Sequence, residues 1–229
     1  MREIVMDTET TGLDPHSGDR IVEIGGVELW NHLPTGKTYH QYINPERDMP
    51  QEAFDVHGLS IDFLRDKPVF AKIAQEFLDF VGDAKLVIHN AAFDMKFLNA
   101  ELGWLNLPQL PYSQAIDTLD IARRKFPGAQ NSLDALCRRF GITTERALHG
   151  ALLDSEILAE VYLELIGGRQ PDFALGIVGG TDSDKPGSPS SWTVPPRPKT
   201  LPPRITEAEK ENHDAFIKTL GPDAAWLNS

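Results

Sequence analysis

Two carboxylates one residue apart, Asp7 and Glu9, close a short apolar run, Ile4-Val5-Met6. On a strand, residues two apart share a face. A strand over 4–9 therefore points both acids the same way. Like charges held that close repel, and a bound divalent cation is the usual remedy; the bland alternative is an acidic strand end facing water. Two further acids stand in matching contexts. Asp94 is followed by Phe97, Leu98 and Leu102 at helical spacing, so it shares an apolar face, where a carboxylate is costly unless paired, metal-bound or capping the helix. Asp154 is followed by Leu158, Val161 and Leu165, which places it on the buried stripe of a long helix. Glu156, Glu160 and Glu164 fall toward the polar side of the same helix. His149, with Gly150 and Ala151 after it, lies at the mouth of that helix, its other reading being a capping or surface histidine. An imidazole that titrates near neutrality suits general-base work.

The elements that must position these groups follow from the hydrophobic pattern. Ile4–Asp7 reads as a strand, followed by the turn-rich Thr10-Thr11-Gly12-Leu13-Asp14-Pro15. Residues 21–30 and 38–43 read as the next two strands, with Gly25-Gly26 suggesting a bulge or kink. Three early strands with short links imply an antiparallel meander. Ile73, Phe77, Phe80 and Val81 then mark a helix ending near Gly82, and Leu86-Val87-Ile88 a short buried strand. A helix over 94–102 is expected to stop at Gly103, and Ile116-Asp117 to close a fifth strand. Helices are predicted over 119–125, over 133–140 with Asn131 or Ser132 as cap, and over 151–166. A meander followed by strand–helix alternation gives an α/β fold, a mixed five-stranded sheet flanked by helices.

Bulk properties narrow the classes. With 229 residues, 41% hydrophobic and 24% charged, the chain has the composition of one globular domain plus appendages. No apolar run reaches the roughly 20 residues that span a bilayer. Residues 1–7 enter a strand without the apolar core of a secretory signal, and the single Cys137 permits no internal disulfide; both fit a cytoplasmic protein. The net charge is −12, of which residues 1–168 carry −11. That argues against a tight, nonspecific grip on a nucleic-acid backbone, which needs clustered cations. It leaves room for an enzyme that touches only a strand end.

Asp7-x-Glu9 on the first strand, Asp94 in His89-Asn90-Ala91-Ala92-Phe93-Asp94, and His149-Gly-Ala-Leu-Leu-Asp154 together resemble the three motifs of the DEDDh 3′–5′ exonucleases, whose fold is ribonuclease H-like. The resemblance covers residues 1–166 in order. It implies that Asp7, Glu9 and Asp154 hold two divalent cations, magnesium or manganese, with Asp94 reaching one through water. It also implies that His149 acts as general base and that the product is a nucleoside 5′-monophosphate. In related proofreading enzymes, the segment matching Pro50–Leu59 borders the terminal nucleotide. The resemblance thus assigns Glu52 and His57 to substrate, with Thr8 and Thr10 beside them. A loop packing Phe54 and Val56 into the core is compatible with that role.

The remainder is organised differently. Gln170-Pro-Asp-Phe173-Ala-Leu175 resembles a bacterial sliding-clamp-binding peptide through Gln170, Phe173 and Leu175. Of the 28 residues 176–203, seven are Pro, four Gly and seven Ser or Thr, a composition expected to form a disordered linker. Such a coil spans roughly 30 Å on average, from about 5–6 Å times the square root of its length. Thr206-Glu-Ala-Glu209 is a capping-box pattern that opens a terminal helix. The order of domain (1–168), peptide (169–175), linker (176–203) and terminal segment (204–229) resembles the epsilon, or proofreading, subunits of bacterial DNA polymerase III. That resemblance implies a DNA 3′ end as substrate and the sliding clamp and polymerase alpha subunit as partners. Phe216, Ile217, Leu220 and Trp226 are the expected polymerase contacts. The sequence leaves open a small accessory subunit, an RNA-trimming enzyme of the same branch, and a mainly structural assembly subunit.

Overall fold

A computed structural model describes residues 1–143, 148–167 and 205–219. The chain divides into two compact units, Met1–Leu175 and Gly176–Ser229. In the first, β1 (Arg2–Thr10), β2 (Ile21–Trp30) and β3 (Leu33–Tyr42) form the meander. Strands β4 (Lys85–Ile88) and β5 (Ala115–Asp117) then add in parallel beside β1, giving a five-stranded sheet in the order β3-β2-β1-β4-β5. The helices are α1 (Gln51–His57), α2 (Ile61–Leu64), α3 (Phe70–Val81), α4 (Ala91–Trp104), α5 (Thr118–Lys125), α6 (Leu133–Phe140) and α7 (Ala151–Leu165).

Alternation along β1 sorts the layers. Ile4 and Met6 join Phe70, Phe77, Phe97 and Leu98 of α3 and α4 in one apolar cluster. Val5 faces the opposite way, into a cluster with Leu158 and Tyr162 of α7. Fully burying a side chain such as Phe77 or Phe97 contributes about 1.5–3 kcal/mol, so the two layers clamp β1 from both sides. Its C-terminal end lies where these layers meet.

The mixed five-stranded sheet flanked by helices matches the expected fold, with local corrections. Strand β3 begins at Leu33, not Thr38, because Asn31 and His32 both adopt positive φ (50° and 67°) and close a tight hairpin that pairs Trp30 with Leu33. The β1–β2 register runs unbroken through Gly25 and Gly26; the irregularities fall at Glu9/Thr10 and Val27/Leu29. Helix α4 continues past Gly103 to Trp104. Residues 51–57 form a helix, not a loop, and Phe54 and Val56 are exposed on it, not packed into the core. Ser132 caps α6, accepting from Ala135 N at 3.3 Å.

Gly25 is required by packing instead of by a kink. A Cβ there would lie 2.2 Å from the Ala151 backbone, whereas one at Gly26 would meet only ordinary contacts from 3.4 Å. Helix α7 thus descends onto β2 at the residue that pairs with Asp7. Ser155 Oγ donates to the Gly25 carbonyl at 3.1 Å, and Ala151 N donates to Glu23 Oε2 at 3.1 Å.

In the second unit, α8 (Glu207–Thr219) has the expected capping box: Thr206 N donates to Glu209 Oε2 at 2.8 Å, and Glu209 N to Thr206 Oγ1 at 3.3 Å. Phe216 is exposed and Ile217 buried. Gln170, Phe173, Leu175, the linker 176–203, Leu220 and Trp226 lie outside the described residues. Among those described, no helix is long and apolar enough to cross a membrane.

Gly25→Ala is expected to cost about 1–3 kcal/mol, the range for overpacking, while Gly26→Ala costs less than 1 kcal/mol, as a tolerated small change does. Urea denaturation of the two variants measures the contrast.

Candidate active site

The C-terminal end of β1 carries the first two acids. Asp7 pairs across the sheet with Gly25 and Glu9 with Glu23. Asp7 is half-buried and Glu9 buried. Because Gly25 has no side chain, the first turn of α7 comes down beside them and delivers Asp154, which is 3% exposed. Glu23 fixes this approach. One of its carboxylate oxygens accepts from the first helical N–H of α7, and the other stands 2.7 Å from His40 Nε2. Sequence reasoning missed Glu23. Its signal in the sequence is faint, since the same strand carries a second buried acid, Glu28.

His149 precedes the helix on an extended approach. Its Nδ1 lies 3.1 Å from Asp154 Oδ2, and its backbone N donates to the Val56 carbonyl of α1 at 3.1 Å. Ligand atoms of Glu9, His149 and Asp154 all lie within 4.8 Å of one another. The structure therefore brings together groups more than 130 residues apart in the chain. Oxygen and imidazole donors gathered this closely suit a divalent cation. Buried acids otherwise repel at high cost.

Asp94 arrives from the opposite layer. Thr8, between Asp7 and Glu9, points to the α4 side, and its Oγ1 donates to Asp94 Oδ1 at 2.7 Å. Asp94 lies in the first turn of α4 but does not cap it. That task falls to Asp117, which accepts from Asn90 N and Ala91 N at 3.1 and 3.0 Å and also caps α5 through Leu119 N at 2.9 Å. One carboxylate thus holds two helix starts, a role its Asp-Thr context after a short strand signals. Burial pushes the Asp94 carboxyl up to about 7, against the opposing hydrogen bond from Thr8.

A cleft of about 350 Å³ opens beside these groups, lined by Thr8, Glu9, Thr10, Glu52, His57 and Phe93 among others. The sequence-predicted substrate residues are therefore gathered in one place. His57 is buried, and its Nδ1 accepts from Leu59 N at 3.0 Å. Burial pushes its pKa down, so the ring is neutral near pH 7. Glu52 is exposed at the rim. Phe93 and Leu13 complete an apolar wall that the sequence reading did not assign.

The comparisons with known proteins agree with this geometry. The family model described as Exonuclease matches residues 4–162. A DNA polymerase III subunit epsilon of Rickettsia conorii is 47% identical over 228 residues, covering 96% of each chain. That of Escherichia coli is 42% identical over 236 residues, covering 98% of this chain and 97% of its own. Among solved structures, exonuclease X in complex with 5′ overhanging duplex DNA gives a TM-score of 0.56 at 27% identity, over 72% of this chain and 90% of that one. The nuclease domain of 3′hExo, a DEDDh family member bound to rAMP, gives 0.63 at 21% identity, over 72% and 91%, and shows the shared fold. The chain belongs to the exonuclease family and, within it, to the group of DNA polymerase III epsilon subunits. It is a 3′–5′ exonuclease, a phosphodiester hydrolase.

The raised Asp94 carboxyl has a thermodynamic consequence. Between about pH 4 and about pH 7, the folded state keeps a proton there that the unfolded chain has lost. In chelated protein its contribution to stability therefore falls as pH rises through that window. Asp94→Asn is expected to remove this part of the pH dependence. Added magnesium should raise Tm at pH 8 more in wild type than in the variant. Thermal unfolding at pH 5 and 8, with chelator and with magnesium, tests both statements.

Proposed function

We propose that this chain is the proofreading subunit of a cytoplasmic replicative DNA polymerase, removing nucleoside 5′-monophosphates one at a time from DNA 3′ ends. The observation that carries this reading is the convergence of Glu9, His149 and Asp154 within 4.8 Å beside a cleft of about 350 Å³. Asp7, Glu9 and Asp154 would hold two divalent cations, magnesium or manganese, with Asp94 joined through water. Such a pair, when bound, activates the attacking water and stabilises the leaving oxygen.

The chain's own residues do the rest. The Asp154 carboxylate accepts from His149 Nδ1–H, which leaves Nε2 to take the proton of the attacking water. Thr8 holds Asp94 in register with both strand acids. The neutral ring of His57, the rim carboxylate of Glu52 and the Thr10 segment seat the terminal nucleotide against the apolar wall of Phe93 and Leu13.

The segments beyond the domain supply attachment. Residues 169–175, through Gln170, Phe173 and Leu175, are read as a sliding-clamp peptide. Residues 176–203 are the linker. Residues 204–229, with Phe216, Ile217, Leu220 and Trp226, bind the polymerase alpha subunit. Tethering of this kind raises effective concentration without new contacts at the catalytic centre, which suits a domain too acidic to grip DNA by itself.

Magnesium-dependent release of mononucleotides from matched, mispaired and ribonucleotide 3′ ends tests the substrate. A mispaired DNA end should be cut fastest; a faster ribonucleotide end would make the chain an RNA-trimming enzyme. Asp7→Ala with Glu9→Ala is expected to lower turnover by about 10³-fold or more, the several kcal/mol of a lost metal site, with the fold retained by circular dichroism. His149→Ala is expected to lower kcat by about 10²–10⁴-fold. Removing residues 204–229 should abolish co-purification with the polymerase while sparing cleavage of single strands. Gln170→Ala with Phe173→Ala should weaken clamp affinity in a binding titration.

A further inference from the structure

A groove of about 520 Å³ lies between α5 and α6, lined by His89, Leu119, Arg123, Gly128, Ala129, Asn131 and Ser132. None of these residues belongs to the acid cluster or the nucleotide cleft. The groove nevertheless shares an edge of the sheet with them. His89 directly follows β4 and Leu119 stands just after β5, while the acids sit at the same end of β1. All three strands are parallel. Ligands of open α/β sheets bind outside the carboxyl ends of parallel strands. Two strand spacings, roughly 10 Å, separate β1 from β5.

Charge singles out the same place. Residues 118–140 hold five Lys or Arg against two Asp or Glu, within residues 1–168 that carry −11. Lys125 is committed to the Glu164 and Leu165 carbonyls at the end of α7, and Arg139 lies over the Phe126 ring. Arg123 is different. It is exposed and, among the described residues, makes a 3.7 Å surface pair with Asp120, an interaction of little strength in water. Asn131, nine-tenths buried, lines the groove and donates through Nδ2 to the Phe126 and Ala129 carbonyls; its Oδ1 has no hydrogen-bond partner among the described residues.

Resting on the exonuclease reading above, we propose that this groove is a subsite for the substrate strand upstream of the scissile bond, with Arg123 on a backbone phosphate and a base lying against Leu119 and Ala129. A stacked strand advances about 3.4 Å per nucleotide, and the groove lies at least two strand spacings, roughly 10 Å, to the side of the acids, so the subsite is about three or more nucleotides from the 3′ end. A single phosphate contact at Arg123 also explains how an acidic domain keeps a strand in register without binding duplex tightly.

The test is a length series of single-stranded DNA, from a dinucleotide to a decanucleotide, with kcat/KM measured in magnesium for wild type, Arg123→Glu, Arg123→Lys and Ala129→Glu. The subsite predicts that wild type gains in kcat/KM once the strand passes about four nucleotides. Arg123→Glu and Ala129→Glu should each cut the ratio of long to dinucleotide kcat/KM by about tenfold, through KM. Arg123→Lys should retain most of it. The salt dependence for the long strand should lose about one unit of slope in Arg123→Glu, as for one phosphate contact. Dinucleotide cleavage reports folding in each variant. An unaltered ratio in Arg123→Glu or in Ala129→Glu, or an equal loss on long and short substrates, overturns the subsite alone. A wild-type chain that cleaves none of the oligonucleotides overturns the exonuclease reading and the subsite with it.

Discussion

Carboxylates crowded at the end of one strand are the constraint around which this molecule is arranged. Asp7 and Glu9 share a face of β1, Asp154 descends on that face from α7, and Asp94 closes from the other layer through Thr8. Unpaired charges so placed cost far more than any nearby apolar contact returns. The surrounding chain meets that cost with backbone N–H groups, a threonine hydroxyl and an imidazole, and leaves a place where cations complete the balance. A stable fold and a catalytic site therefore make opposing demands on the same few residues. The apolar clusters on both faces of β1 hold the opposition in place.

Two features let the layers approach closely enough. Gly25 allows the start of α7 to rest on the sheet, and Glu23 anchors that start electrostatically. Asp117 performs the corresponding task on the other side by gathering the N-termini of α4 and α5. Each helix that contributes an acid to the cluster is thus pinned at its first turn, where the acid itself sits. Precision is built in at the point of use, since a helix anchored only at its far end would carry any tilt into the site.

Much of this was legible in the sequence because the relevant signals are periodic and local. The spacing of Leu158, Val161 and Leu165 marked the face of Asp154, and the alternation around Asp7 marked its strand. The acids were found because a charge on an apolar stripe is conspicuous. What escaped notice depended on distance across the sheet. Gly25 looked like a kink because its true partner, the Ala151 backbone, lies 126 residues away in the chain. The hairpin at Asn31-His32 lacks the glycine that usually announces such a turn. Helix α1 is short and only half amphipathic, so it read as a loop. Asp117 has the local signal of a helix cap for α5 alone, and Glu23 acquires its meaning through the helix end it receives.

The hydrogen bond from His149 N to the Val56 carbonyl joins His149 to the same short helix that borders the cleft. The wall of the cleft and the position of the imidazole are consequently tied together through a single peptide group, so that a shift of one is felt by the other.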